Sequence, residues 1–289
     1  MNNEQIAYKV SINTIIGNVI LSIIKLLAGI FGKSMAMISD SVHSISDVLS
    51  TFIVMVGIKI SNKVNDDEHQ YGHERLECVA SIILSCMLFI TGILIGYQGI
   101  ESIIQKKEIA TPTLFALIMA IVSILIKECM YWYTRKYAKL INSNALMADA
   151  WHHRSDALSS IGSLIGIVGS MLGFKLLDSI ASIIICIFIL KVAIDIFKDS
   201  VNKMVDKACS KETIENYKKI IKKIKGVKRI DLIKSRLFGN KIYLDVEISV
   251  DGNLKLVDAH NISHKVHDKL ESSDKNIKHC MIHVNPYEK

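Results

Sequence analysis

Apolar residues in this chain are gathered into six long blocks, at roughly 7–31, 35–61, 76–104, 113–137, 145–172 and 177–204. A helix needs about 20 mostly apolar residues to cross the hydrocarbon core of a bilayer, and each block reaches that length. Inside lipid, a single segment can satisfy its own backbone polar groups only as a helix. The pattern therefore predicts six transmembrane helices with short connections. Lys106, Lys107 and Pro112 mark one link, and Gly173 and Lys175 another. Composition agrees: 50% of the 289 residues are hydrophobic and only 2 are proline.

Lysine and arginine in short loops set the orientation of such a bundle. One side carries Lys9, Lys59, Lys63, Arg75, Arg135, Lys136, Lys139, Lys198, Lys203 and Lys207, whereas the other carries Lys33, Lys106, Lys107 and Lys175. The richer side is expected in the cytoplasm, which places both termini and the loop at 62–74 there. The expected location is the cell (inner or plasma) membrane, as a multi-pass protein in contact with the lipid bilayer. No basic stripe with interleaved aromatic residues is present, so nucleic acid is not an expected partner. The 6 cysteines are scattered, without a Cys-x-x-Cys pair, which predicts neither a disulfide framework nor a thiolate metal site.

From about Ala208 the periodicity changes. Ile214, Tyr217, Ile221 and Ile224 have helical spacing with lysines between them. A strand over 227–238 ends in Gly239-Asn240, and Ile242, Leu244, Val246, Ile248 and Val250 then alternate with polar residues, as in a half-buried strand. Helical spacing returns over 254–270, and a last strand over 277–284 is expected to stop at Pro286. The expected division is a six-helix transmembrane domain, 1–207, and a small α+β domain of order αββαβ, 208–289.

Two of the apolar blocks carry an unusual insertion. Asp40-Ser41-Val42-His43-Ser44-Ile45-Ser46-Asp47 and Asp149-Ala150-Trp151-His152-His153-Arg154-Ser155-Asp156 both spell Asp-x-x-His-x-x-Ser-Asp. On a helix, residues i and i+4 share a face. The second and fifth helices should run antiparallel, so His43, Asp47, His152 and Asp156 can converge as four N/O ligands for a divalent metal. Two carboxylates would cancel the charge of the ion, which lowers the cost of holding it in low dielectric. A pair of structural His–Asp hydrogen bonds is the plainer alternative, but ionisable groups in spans are rare and mark functional sites by default. Imidazole suits Zn²⁺, Fe²⁺ and Co²⁺ among others. Metal needs neutral imidazole and ionised carboxylate, so protons compete for the same atoms. Four converging ligands leave no open coordination position for catalysis, and no His-Glu-x-x-His is present; a transporter is expected and not an enzyme.

Two further clusters are candidates. In the loop at 62–74, Asp66, His69 and His73 surround Gly72, which allows a tight turn; a metal site and a polar helix start both fit. In the α+β domain, Asp245, His260 and His283 sit on strand and helix positions that could converge on a metal in the cytoplasm. Asp40 and Asp149 are possible orienting partners of the histidines. Lys127 and Glu128 are charges within a span, expected to pair between helices.

Six helices, paired His-x-x-x-Asp motifs in the second and fifth, an Asp-Asp-x-His-x-x-Gly-His loop and an αββαβ tail resemble the cation diffusion facilitator family over nearly the whole chain. The resemblance implies a homodimeric secondary active transporter that exports divalent metal in exchange for protons by alternating access, with a metallochaperone-like cytoplasmic domain that senses metal and holds the dimer. It implies His43, Asp47, His152 and Asp156 as the transport site, Asp66, His69 and His73 as the loop site, and Asp245, His260 and His283 as the cytoplasmic site. Two His and two Asp match the zinc pattern among relatives, which makes Zn²⁺ the expected transported and regulatory ion. Mn²⁺, Fe²⁺ or Co²⁺ remains open, as does a membrane metal sensor that moves no ion. Ile230 and Val284-Asn285 depart from members that place His and Asp there.

Overall fold

The computed structural model describes residues 3–31, 35–105, 114–171 and 177–287. Six long helices come first: α1 (Asn3–Phe31), α2 (Met35–Ser61), α3 (Arg75–Gln105), α4 (Leu114–Ile141), α5 (Asn144–Met171) and α6 (Leu177–Met204). Two compact units divide the chain, Met1–Ser200 and Val201–Lys289.

The helical unit buries many polar side chains beside its apolar ones and exposes an apolar exterior. In α1, Ser11, Thr14, Asn18, Ser22 and Lys25 recur every three or four residues and are buried. On the opposite face Ile16, Ile20, Ile23 and Leu27 are exposed. Water would reverse this arrangement, since an exposed apolar stripe of that size needs a partner surface. A bilayer accepts it, because lipid tails are as apolar as leucine. The outward face of α6 follows the same logic through Ile184, Ile187 and Phe188.

Helix α1 packs along α2 and α4, α4 packs along α5, and α3 packs on α2 and α5. An apolar cluster of small and branched side chains ties these elements together, including Val54, Ile58, Ala80, Leu84, Ala138, Ala145 and Leu146. Gly57 lets α2 and α3 touch: a Cβ there would collide with Ala80 Cβ. Helices α4 and α5 are joined by Asn142 and Ser143 alone. Asn142 takes a positive φ of 54°, and Ser143 Oγ accepts the Leu146 N–H at 3.2 Å as an N-terminal cap. So short a joint makes α4 and α5 antiparallel neighbours.

The second unit contains α7 (Lys211–Lys222), β1 (Arg229–Phe238), β2 (Lys241–Asp251), α8 (Leu256–Ser273) and β3 (Ile277–Tyr287), the αββαβ order read from the periodicity. Ser210 Oγ caps α7 by accepting the Thr213 N–H at 3.2 Å. Strands β1 and β2 form an antiparallel hairpin whose last pair is Phe238 with Lys241, across a turn with Gly239 at φ 62°. Strand β3 lies parallel to β2, giving the order β1-β2-β3. Alternate β2 residues Leu244, Val246 and Ile248 pack against Tyr217 and Ile221 of α7 and Val266 and Leu270 of α8. One boundary differs from expectation: β3 runs through Pro286 to Tyr287, with Pro286 opposite Val250. A proline is tolerated there because β3 is an edge strand, where a missing N–H breaks no inner ladder.

A candidate metal centre in the helical unit

Helices α2 and α5 meet through their matched motifs. Asp47 on α2 and His152 and Asp156 on α5 are buried, and one ligand atom from each lies within 4.8 Å of the other two. His152 Nε2 is 3.4 Å from Asp47 Oδ1. One turn further along α2, Thr51 Oγ1 donates to Asp149 Oδ1 at 3.0 Å, one turn earlier on α5. That reversed pairing establishes the antiparallel crossing. His43 lies one helical turn before Asp47 in the α2 backbone, but its side chain and that of Asp40 fall outside the described residues.

A third helix enters the site. Lys127 of α4 is 2% exposed, and its ammonium donates to Asp47 Oδ2 and, at 2.9 Å, to Asp156 Oδ2. Asn18 of α1 accepts from the same nitrogen at 3.0 Å. A buried carboxylate pair is strongly unfavourable without a counter-charge, and Lys127 supplies one. Pairing between helices was the expectation for this lysine; that its partners are the site carboxylates was not. A lysine inside an apolar block needs acceptors, which signals pairing, but its partners follow from how α4 lies beside α1, α2 and α5. Beside the centre, His153 is fully buried, with Nε2 3.6 Å from Asp149 Oδ2. Arg154, between the ligands in sequence, turns away: its guanidinium lies 4.3 Å from the Tyr131 ring centroid and 3.5 Å from Glu128 Oε1.

The loop between α2 and α3 forms a second cluster. Asp66 Oδ1 accepts the His69 backbone N–H at 2.8 Å, and His73 Nε2 stands 3.4 Å from Asp66 Oδ2. Gly72 at φ 98° folds the loop so that the His69 and His73 rings sit 4.5 Å apart. Atoms from Asp66, His69 and His73 again lie within 4.8 Å of one another. The Lys63 ammonium, 2.7 Å from Asp66, holds that carboxyl well below the usual carboxylate range, helped by the His69 N–H. Three ligands with an exposed flank can hold a dication and leave a position for water.

The third set is dispersed within the chain. Asp245, His260 and His283 are exposed, Asp245 pairs in register with Met281, and His283 pairs with Glu247. Among the described residues they form no group with ligand atoms in mutual reach. Neighbouring histidines are engaged locally: His267 Nδ1 donates to the Cys280 carbonyl at 2.7 Å, and His264 Nδ1 lies 2.9 Å from Asp268 Oδ2. Burial pushes the Cys280 thiol up to about 12, which keeps it protonated and a poor metal ligand. Asn285 donates to Asp231 Oδ2 at 3.1 Å and closes a knot with Ser249 and Arg229.

Residues 11–205 match the family described as "Cation efflux transmembrane domain", and residues 209–287 match "Cation efflux protein, cytoplasmic domain". The chain is 34% identical over 291 residues to the manganese efflux system protein MneP of Bacillus subtilis, covering 98% of this chain and 97% of that protein. The manganese efflux system protein MneS of the same organism is 33% identical, covering 93% and 92%. The magnetosome protein MamB of Magnetospira sp. is 31% identical, covering 89% and 88%. A solved nickel form of a MamM C-terminal domain variant is 22% identical, with a TM-score of 0.26, over 27% of this chain and 99% of that one.

Proposed function

The chain belongs to the cation diffusion facilitator family of membrane-embedded divalent-metal efflux transporters, and on that premise we propose that it exports Zn²⁺ in exchange for protons. The observation that supports this best is the convergence of Asp47, His152 and Asp156 in a buried pocket between α2 and α5. His43 completes the proposed transport site from its place one turn before Asp47. Imidazole and carboxylate together suit zinc. Both also bind protons, so loading an ion on one face and releasing it on the other couples to proton uptake and return. Alternating access follows from rocking of helices around a fixed site.

The remaining assignments are proposals of the same kind. Asp66, His69 and His73 form a loop site at the cytoplasmic end of α2 and α3. Asp245, His260 and His283 form a regulatory zinc site that needs ligands from a second copy or a rearrangement, because one chain leaves them apart. The working protein is a homodimer joined through residues 208–289, with both termini in the cytoplasm. Mn²⁺ is the second reading, favoured by the names of the two Bacillus subtilis relatives.

Transport by purified protein in proteoliposomes tests the reading. Under one imposed pH gradient, Zn²⁺ uptake should exceed that of Mn²⁺, Fe²⁺ and Co²⁺. Preference for Mn²⁺ would select the second reading. Flux that ignores the pH gradient would remove proton exchange, and absence of flux for every ion would leave a membrane metal sensor.

A further inference from the structure

Lys127 is a resident cation in a site built for a visiting one. Its three ammonium protons meet three acceptors, Asp47 Oδ2, Asp156 Oδ2 and Asn18 Oδ1. A dication would bind those carboxylates at about 2.0–2.2 Å. If the ammonium kept both contacts, the two cations would stand within roughly 4 Å of each other, and shielding from water makes such repulsion strong. Ion and ammonium therefore compete for the carboxylate pair.

There is room for the lysine to leave. A cavity of about 310 Å³ borders Asp47, Lys127 and Asp156, and Thr91, Gln98, Ser123 and Ser160 line it with oxygen atoms that can accept from an ammonium. The other cation on that cavity, Lys25, donates to Ser44 Oγ at 3.0 Å. The four-carbon stem of lysine rotates freely enough to change acceptors without moving its helix.

We infer that Lys127 is a tethered competitor for the transported metal: its ammonium closes the Asp47–Asp156 pair in the empty carrier, withdraws into the adjoining cavity when the ion enters, and returns to displace it. This deepens the assignment of Asp47 and Asp156 as transport ligands and rests on it. The device serves two needs of a carrier. Competition sets affinity low enough for release, and the ammonium keeps the vacant acids balanced while the empty protein resets. Lys127 is thus a positioning residue that acts through the ligands, supplied by a helix that carries no ligand of its own.

The test separates affinity from turnover. Lys127→Met keeps the side-chain length and removes the charge. In the purified full-length protein it should tighten Zn²⁺ binding by about tenfold while lowering maximal flux in proteoliposomes by a similar factor. A lysine that only ties helices would weaken both quantities or leave both unchanged, and either result overturns the inference. A second measurement uses the unaltered protein, so it holds even if the variant misfolds. In a zinc-loaded structure the Lys127 nitrogen should lie beyond roughly 4 Å from both carboxylates; a lysine still bridging them beside the ion overturns the inference. Asp47→Asn separates the two levels. If it leaves zinc affinity intact, the ligand assignment fails and the inference with it. If it abolishes binding while Lys127→Met does not tighten it, the inference alone fails.

Discussion

The two units of this molecule place opposite chemistry at their centres. In the helical unit the buried set includes Asp47, Lys127, Asp149, His152, His153 and Asp156, while isoleucines and leucines face outward. From α7 onward the buried polar side chains among the described residues are Ser249 and Ser263, and the centre is Leu244, Val246, Ile248, Val266 and Leu270. Water drives apolar groups together in the second unit. Lipid gives no such drive in the first, so packing and polar contacts hold its helices and its interior is free to carry charge. The difference is consistent with candidate ligands Asp47, His152 and Asp156 lying buried in one unit, and Asp245, His260 and His283 lying exposed in the other.

The contrast is sharpest at the proposed ligands. Asp47→Asn or Asp156→Asn should reduce metal flux in proteoliposomes by at least ~100-fold, above the range expected for outer partners of a metal site. Near-normal flux in either variant would break the link between a charged interior and transport.

Core truncation should separate the units next. Ile248→Ala, in the centre of the sheet, should cost about 2–5 kcal/mol of unfolding free energy. Ile187→Ala, on the outward face of α6, should change it by only about 0.5 kcal/mol. Denaturant unfolding in detergent compares the two, and equal losses would mean that the helical unit depends on its exterior as the sheet depends on its core.

A smaller effect is expected one turn from the site. Thr51→Val leaves the buried Asp149 carboxylate without its hydroxyl donor and should cost about 2 kcal/mol, typical of a hydrogen bond to a charged group. Thermal unfolding reads it, and Thr51→Ser should recover most of the loss.

The smallest effect lies on the exposed side of the sheet. Hydrogen bonds from Ser249, Arg229 and Asn285 hold the Asp231 carboxyl at about 2. A depressed folded-state value stabilises the fold above the ordinary carboxylate range, and that contribution is lost as the pH falls through the lowered value. Asp231→Asn should therefore lower the unfolding midpoint slightly at neutral pH. The gap from the parent protein should close between about pH 4 and pH 2. A gap that does not depend on pH would assign the effect to packing.

Much of this architecture was legible because both periodicities are strong. Long apolar blocks marked the helices, and alternation from Ile242 to Val250 marked the central strand. The repeated Asp-x-x-His-x-x-Ser-Asp marked the faces on which Asp47, His152 and Asp156 meet. Three matters were not legible. Lys127 could be expected to pair, but which acids it reaches depends on how α4 lies beside α2 and α5, and no local pattern encodes that. Asp245, His260 and His283 have ligand chemistry without convergence, because their positions within one chain are set by sheet register and not by metal geometry. The course of β3 through Pro286 depends on its being an edge strand, which is a property of strand order.

The two-residue elbow at Asn142 and Ser143 has a mechanical consequence. It ties the end of α4 to the start of α5, and these two helices pack along each other as α1 and α2 do. Lys127, His152 and Asp156 belong to the first pair and Asp47 and Asn18 to the second. On the proposed transport reading, a motion that parted α4 and α5 from α1 and α2 would also draw Asp156 away from Asp47, so that access to the site and the hold on the ion would change together.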